Sequence, residues 1–482
     1  MTKGANQLIR RRISAKTART SLFAAAIVPA LLFTTAGASY AAEGAPEAAN
    51  GVPAAHAVDG IPAAPSPLPK GDLVPALAPM AGESVPAPKL NVDLAKAQKF
   101  TDPLTGVTVH RATRASEGKQ GRLRHDYSRR QAFNADNSKM LAWDGEGFWY
   151  VVDTKTWKRS AALEGVAGAA EVLWHPTNPN LARHTANHGG TQWYEFNVST
   201  GERRTILDLK GKTPWPEATS YWTKGEGTTS ADGKILTLFA NRYDSATQKV
   251  IPYGVVTVNL ESGSVIGTLD ASKFPVPGAI PDHVSTSASG KYAVLSWTDG
   301  YGGTHSYDIG LKKGRQLIKN SEHSDLAINK EGRDVLVAAA YEADQIAMYD
   351  LETGKKTGLM SLYPASGEAY AAHISAQSFD RPGWVVVSTY GDNANYGKAA
   401  APSRPQYKRV FFLELTEGGQ AYPVTHTRVE EKASDSKEGF YFKEPQATVS
   451  RDGSKVAFTS TMGGGIETWV VDIPLKERPA AK

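Results

Sequence analysis

From about residue 105 to the end, apolar positions come in short runs rich in Val, Ile, Leu, Phe and Tyr. Gly, Asp, Asn or Ser breaks each run after a few residues. No stretch keeps the three-to-four spacing of a long amphipathic helix, so the pattern predicts strands joined by tight turns. The runs also repeat. A turn of the Asp-Gly-Lys kind followed by an apolar strand recurs at Asn134–Lys139, His175–Asn180, Ala231–Lys234, Ala288–Lys291, Lys330–Arg333, Phe379–Gly383 and Arg451–Lys455. Such turns supply the left-handed backbone positions that a strand-to-strand reversal needs. A second strand follows each turn and closes on an acid or amide: Asp153, Asn197, Asn259, Asp308, Asp350, Glu414 and Asp472.

Both series number seven and stay in register, which predicts an all-β, seven-bladed β-propeller. The last unit runs out of chain after its third strand. Gly106–Arg114 is apolar at alternate positions and is expected to supply the missing strand, closing the ring without an open sheet edge. The propeller is assigned to residues 99–478, with no second domain.

The region before it has a different texture. Arg10, Arg11, Arg12, Lys16 and Arg19 precede an apolar stretch from Leu22 to about Gly37, followed by Ala38-Ser39-Tyr40-Ala41. This pattern predicts a signal peptide over 1–41 and a periplasmic or secreted protein. Residues 42–98 hold ten of the 28 prolines and show no sustained apolar period, so an Ala/Pro-rich disordered linker is expected, with a short helix near Val92–Phe100.

Charge then removes one class of partner. The formal charge is +5, but Lys3 and the five basic residues above lie within 1–41, where there is no acid. Without those six the chain carries −1, leaving no electrostatic footprint for nucleic acid. The absence of cysteine excludes disulfide scaffolds, thiolate zinc sites and cysteine nucleophiles. No membrane span is expected after signal cleavage, and the protein is expected to act as a monomer.

Candidate chemistry lies where inner strands enter the central channel, just before each turn. Three consecutive blades place a histidine there, His283, His323 and His373, although the chain has only 11. Glu444 and Gln446 stand at the equivalent place in the next blade. Imidazoles converging with carboxylate or amide oxygen suit Mn, Zn, Ni or Fe. The same side chains would also serve a site directly, or simply cap strands and bind channel water. A second group, His125, Tyr127 and Arg129, combines base, acid and carboxylate clamp, and shares one direction if the segment is a strand. Arg242 is a further candidate cation. Trp174, Tyr221, Trp222 and Trp297 are candidates for stacking on sugar rings or for packing. His184 and His188 have helical metal spacing in a strand context. No Gly-x-Ser-x-Gly or His-Glu-x-x-His is present, which argues against serine hydrolases and zinc proteases.

Ser230-Ala-Asp-Gly-Lys234 and Ser450-Arg-Asp-Gly-Ser454 resemble TolB-type propeller repeats. His323-Ser-Asp325 and Glu444-Pro-Gln446 with Ser450-Arg-Asp-Gly453 resemble inner-strand motifs of propeller-fold polysaccharide lyases of the oligogalacturonate lyase type. That resemblance implies a manganese ion held by three histidines and a glutamine, here His283, His323, His373 and Gln446, with Zn or Ca behind Mn. One difference stands: that family keeps two of its histidines close together in one blade, and His373-Ile-Ser375 has no such neighbour. The ulvan lyase type works instead with His, Tyr and Arg, which His125, Tyr127 and Arg129 or Arg242 resemble. The implied activity is β-elimination on a uronate-containing oligo- or polysaccharide. The competing expectation is a non-catalytic TolB-like propeller that binds protein or glycan in the cell envelope.

Overall fold

The computed structural model describes residues 73–81, 87–362, 370–391, 406–430, 435 and 437–477, so the expected signal peptide lies outside the described residues. Five four-stranded antiparallel sheets follow one another from Leu173 to His426 and form blades two to six. An eight-stranded sheet holds the first and seventh blades, whose strands come from both ends of the chain. The seven third strands end at Asp153, Asn197, Asn259, Asp308, Asp350, Glu414 and Asp472, each at the residue where the sequence pattern ends. The reason is local: Asp153, Asn197, Asn259 and Asp350 accept backbone N–H groups from the turn that follows them.

Strand alternation explains how blades become a ring. In the third blade Leu236, Leu238 and Ala240 face the second blade, whereas Phe239 and Val255 face the fourth. Seven apolar clusters lie between successive blades, and one of them packs Ala457 and Val470 of blade seven against Met140, Ala142 and Val152 of blade one. The circle therefore closes on itself.

The closing strand is where the sequence places it. Thr108–Arg111 pairs antiparallel with Trp469–Val471. A further strand, Lys99–Thr101, adds outside it. Arg111 and Glu467 lock the pair through two charge-assisted hydrogen bonds, Nε to Oε2 at 2.7 Å and Nη2 to Oε1 at 2.6 Å. On the inner side Arg122–Leu123 runs parallel to Ile466–Glu467 and joins blade seven to blade one.

Two expectations for the preceding region are corrected. Residues 42–72 and 82–86 lie outside the described residues, and within the rest one short segment docks on the propeller while most neighbouring positions are exposed. Leu73–Pro75 pairs with Leu475–Glu477, and Val74 and Leu77 are buried in the cluster between blades six and seven. Around Val92–Phe100 there is a turn on Asp93, which accepts from the N–H of Ala97, and then a strand; there is no helix. Burying apolar side chains, worth about 1.5–3 kcal/mol each, outweighs the proline-rich composition here. Among the described residues no helix is long and apolar enough to cross a membrane.

Candidate active site at the channel mouth

After the short strand Arg122–Arg124 the chain leaves the blade. Residues 125–131 cross the channel mouth, and the blade resumes with a bridge between Phe133 and Met140. The crossing is a turn: the N–H of Arg130 bonds the carbonyl of Tyr127 at 3.1 Å, and Arg130 Nε meets Asp126 Oδ2 at 3.1 Å. From it two guanidinium groups reach the opposite blades. Arg130 donates to the carbonyl of Gly227 at 2.6 Å. Arg129 Nη1 lies 3.1 Å from Glu226 Oε2 and 3.0 Å from His283 Nδ1, and its Nη2 donates to the carbonyl of Glu322 at 3.2 Å. A single side chain thus ties the entries of blades three, four and five.

An aromatic wall stands beside this cation. His373 lies against both His323 (centroids 4.4 Å, 21°) and Tyr390 (4.9 Å, 17°), which are themselves 6.4 Å apart, so the three rings form one cluster. Tyr127 meets His373 edge-on at 5.4 Å and lies 5.8 Å from the Arg129 guanidinium. Tyr441, from the one described α-helix (Lys437–Lys443), stacks beyond Tyr127 at 6.5 Å. Burial, with the negative charge of Glu226, pushes the Tyr127 phenol well above its ordinary value, so it stays protonated. Burial and the charge of Arg129 push His323 down to about 4. Its Nδ1 lies 3.0 Å from the carbonyl of Ala372, which only an N–H can donate to, so Nε2 carries the lone pair.

Carboxylates line the other side. Burial pushes Glu226 up to about 7 against the pull of Arg129, and burial does the same to Glu322. Asp282 goes the other way. Burial would raise it, but His283, Ser321 (Oγ to Oδ2, 2.7 Å) and Arg129 together hold it well below the usual carboxylate range.

Of the residues anticipated as catalytic, Tyr127 and Arg129 come together and two do not join them. His125 is fully buried between blades one and seven. Its Nε2 bonds the carbonyl of Gln446 at 2.7 Å, its Nδ1 faces Thr468 Oγ1 at 3.1 Å, and burial and Arg124 push it down to about 3. The alternation that aligned it with Tyr127 fails because the segment is a turn. Arg242 lies in the second strand of its blade, Ile235–Asp244, one residue beyond the part paired with the inner strand Ser220–Trp222, and bonds Tyr253 on its own hairpin at 3.3 Å. Of the aromatic candidates, Trp174, Tyr221 and Trp297 are buried in interblade clusters, and only Trp222 is partly exposed. His184 is buried against Tyr194 and Phe196, while His188 meets Trp222 edge-on.

The anticipated metal ligands do not fit an ion. His283 faces the Arg129 guanidinium. His323 and His373 are stacked, so their lone pairs lie in nearly parallel planes and do not converge. Gln446 Oε1 accepts from Arg124, a second buried cation. Neither ring nitrogen of His373 is hydrogen-bonded, with Glu444 Oε2 at 3.4 Å from Nε2. Among the described residues no group of three or more His, Asp or Glu side chains is arranged to hold a metal.

Tyr390 and Tyr441 belong to this site and are not marked by the sequence. Glu226 lies in the Gly225-Glu-Gly227 entry of blade three, which the repeat places at the mouth beside the histidine entries without assigning it a role. Tyr390 and Tyr441 lie in parts of the blades where the repeat carries no mark.

No family model and no curated protein matches the chain. Solved structures do match in fold. An oligogalacturonate lyase in complex with manganese aligns with a TM-score of 0.54 at 15% identity, over 84% of this chain and 98% of that one. The oligogalacturonate lyase of Vibrio parahaemolyticus aligns at 0.53 and 15%, over 84% and 99%. At this identity the likeness is one of fold: the chain shares the architecture of these lyases along almost their whole length.

Proposed function

We propose that this is an exported carbohydrate-active propeller that cleaves a uronate-containing glycan by β-elimination at the channel mouth. The observation that carries the reading is one cluster in a lyase-like fold, in which Arg129 stands against Tyr127 and both Tyr127 and His323 contact His373. Each has the protonation state its task needs. Arg129 neutralises the sugar carboxylate and so makes the C5 proton more acidic. His323 Nε2 takes that proton, and the C5–H electrons become the C4=C5 double bond. The C4–O4 bond breaks, and the departing oxygen takes the phenolic proton of Tyr127; solvent then reprotonates Tyr127 and takes the proton from His323. No step calls on a metal, in keeping with the poor fit of the residues to one.

The test is ultraviolet absorbance of unsaturated uronate, measured against a panel of uronate polymers with and without added Mn. Product formed without metal and abolished by Arg129→Ala is the expected result. No product from any polymer would leave the non-catalytic binding propeller as the better reading.

A further inference from the structure

That chemistry does not use the carboxylate already paired with Arg129. Glu226 Oε2 sits on Arg129 Nη1 at 3.1 Å and is 4.0 Å from His283 Nδ1, with its side chain only 18% exposed. The segment that carries it has no regular secondary structure, yet it is pinned on both sides. Before Glu226, the buried carboxylate of Glu171 accepts from the N–H of Thr223 at 2.9 Å, from Thr223 Oγ1 at 2.7 Å and from the N–H of Gly225. After it, Arg130 holds the carbonyl of Gly227, and the N–H of Gly227 bonds Thr223 Oγ1 at 3.0 Å. The carboxylate is therefore presented to Arg129 by a built support. A guanidinium paired with a carboxylate is also the contact a uronate would make there.

We propose that Glu226 is a resident carboxylate that holds the substrate-carboxylate place on Arg129, so that an acidic sugar binds by exchange against it. Such an exchange selects for charge. A neutral sugar offers Arg129 nothing to replace the carboxylate it would lose, whereas a uronate restores the pair. Burial and repulsion from Asp282 and Asp126 disfavour the charged form of Glu226, while Arg129 and Lys224 favour it, so the resident pair is held at a cost that eases its exchange. The identity of the incoming carboxylate rests on the lyase reading; the occupancy of Arg129 does not.

The experiment is calorimetric binding of galacturonate, which has no glycosidic leaving group and cannot be turned over, with galactose as the neutral counterpart. Glu226→Gln should tighten galacturonate roughly 10-fold, about 1.4 kcal/mol, and leave galactose unchanged. Glu226→Asp, one methylene shorter and still charged, should fall between the two and guards against a folding defect in the glutamine variant. Unchanged or weaker galacturonate binding in Glu226→Gln, or no uronate binding to either protein, overturns the exchange. Cleavage of uronate polymers by the wild type alongside such a result would leave the lyase reading standing. Tightening without any cleavage would do the reverse.

Discussion

Two arginine–carboxylate pairs, both largely buried, sit at opposite extremes of use. At the seam, Arg111 and Glu467 meet through two parallel bonds, and their remaining capacity is filled: Arg111 also donates to the carbonyls of Gly463 and Ala95, and Glu467 accepts from the N–H of Ala115. At the mouth, Arg129 meets Glu226 through a single nitrogen, and burial has pushed that carboxyl to about 7. Nothing at the seam is left to bind. At the mouth, Arg129 stands beside Tyr127, and Glu226 meets it without the second parallel bond seen at the seam. Saturation of hydrogen bonds, rather than burial, separates the pair that closes the ring from the pair that is available for chemistry.

Substitutions at the two pairs should therefore have opposite readouts. The largest effect is expected at the mouth. Tyr127→Phe should lower the elimination rate by about 10²–10⁴, with urea unfolding close to wild type. Arg129→Ala should lower the rate per folded molecule by at least as much while also losing stability, because Glu226, His283 and the Glu322 carbonyl lose their shared partner. A variant that loses rate only because it unfolds would erase the contrast. At the seam, Glu467→Ala strands a buried guanidinium and should cost about 3–5 kcal/mol in urea unfolding, with the rate per folded molecule unchanged. His125→Ala sharpens the boundary between the two regions. It lies next to the mouth in sequence but wedges the seam in space. It should cost about 1–3 kcal/mol of stability and little rate, because the carbonyl of Gln446 loses its donor. The smallest effect is in pH. His323 acts as a base only when neutral, and its value of about 4 means the rate at saturating substrate should fall as pH drops through about 4. Removing the Arg129 charge takes away one cause of that depression. An NMR titration of the His323 ring in Arg129→Met should then move upwards, and an unmoved titration would show the two groups to be uncoupled.

The ring was legible because its signals are local. A turn that needs a left-handed residue and a strand end whose Asp or Asn binds the next N–H groups are written within a few consecutive residues, as at Asp350 with Glu352 and Thr353. The site was legible only in part because it is made by connections. His283, His323 and His373 were found as repeat-equivalent positions, yet position did not say that His323 and His373 stack or that Arg129 stands against His283. His125 misled for a related reason. Alternation holds within a strand, and the strand ends at Arg124, one residue before it. The proline-rich approach misled in the other direction: composition predicted an unpacked linker, but Val74 and Leu77 meet a groove between the last two blades that only the finished fold provides.

The strand Thr108–Arg111 belongs to the blade that the chain completes last. His110 bonds Asp472 at 3.0 Å across 362 residues of sequence. Assembly therefore has an order imposed on it. Blades two to six each draw on one continuous stretch and have their strands to hand as soon as that stretch exists. Val109 and Phe100, among the first propeller residues to be made, pair with each other across a short hairpin, but the other edge of the Val109 strand has no partner until the strand at Trp469–Val471 has been synthesised. Joining them closes a very long loop, with an entropic cost that grows only slowly with its length, but the event is non-local and therefore late. A growing chain must carry that apolar edge uncovered through nearly the whole of its synthesis, and the propeller becomes a ring at the final stroke.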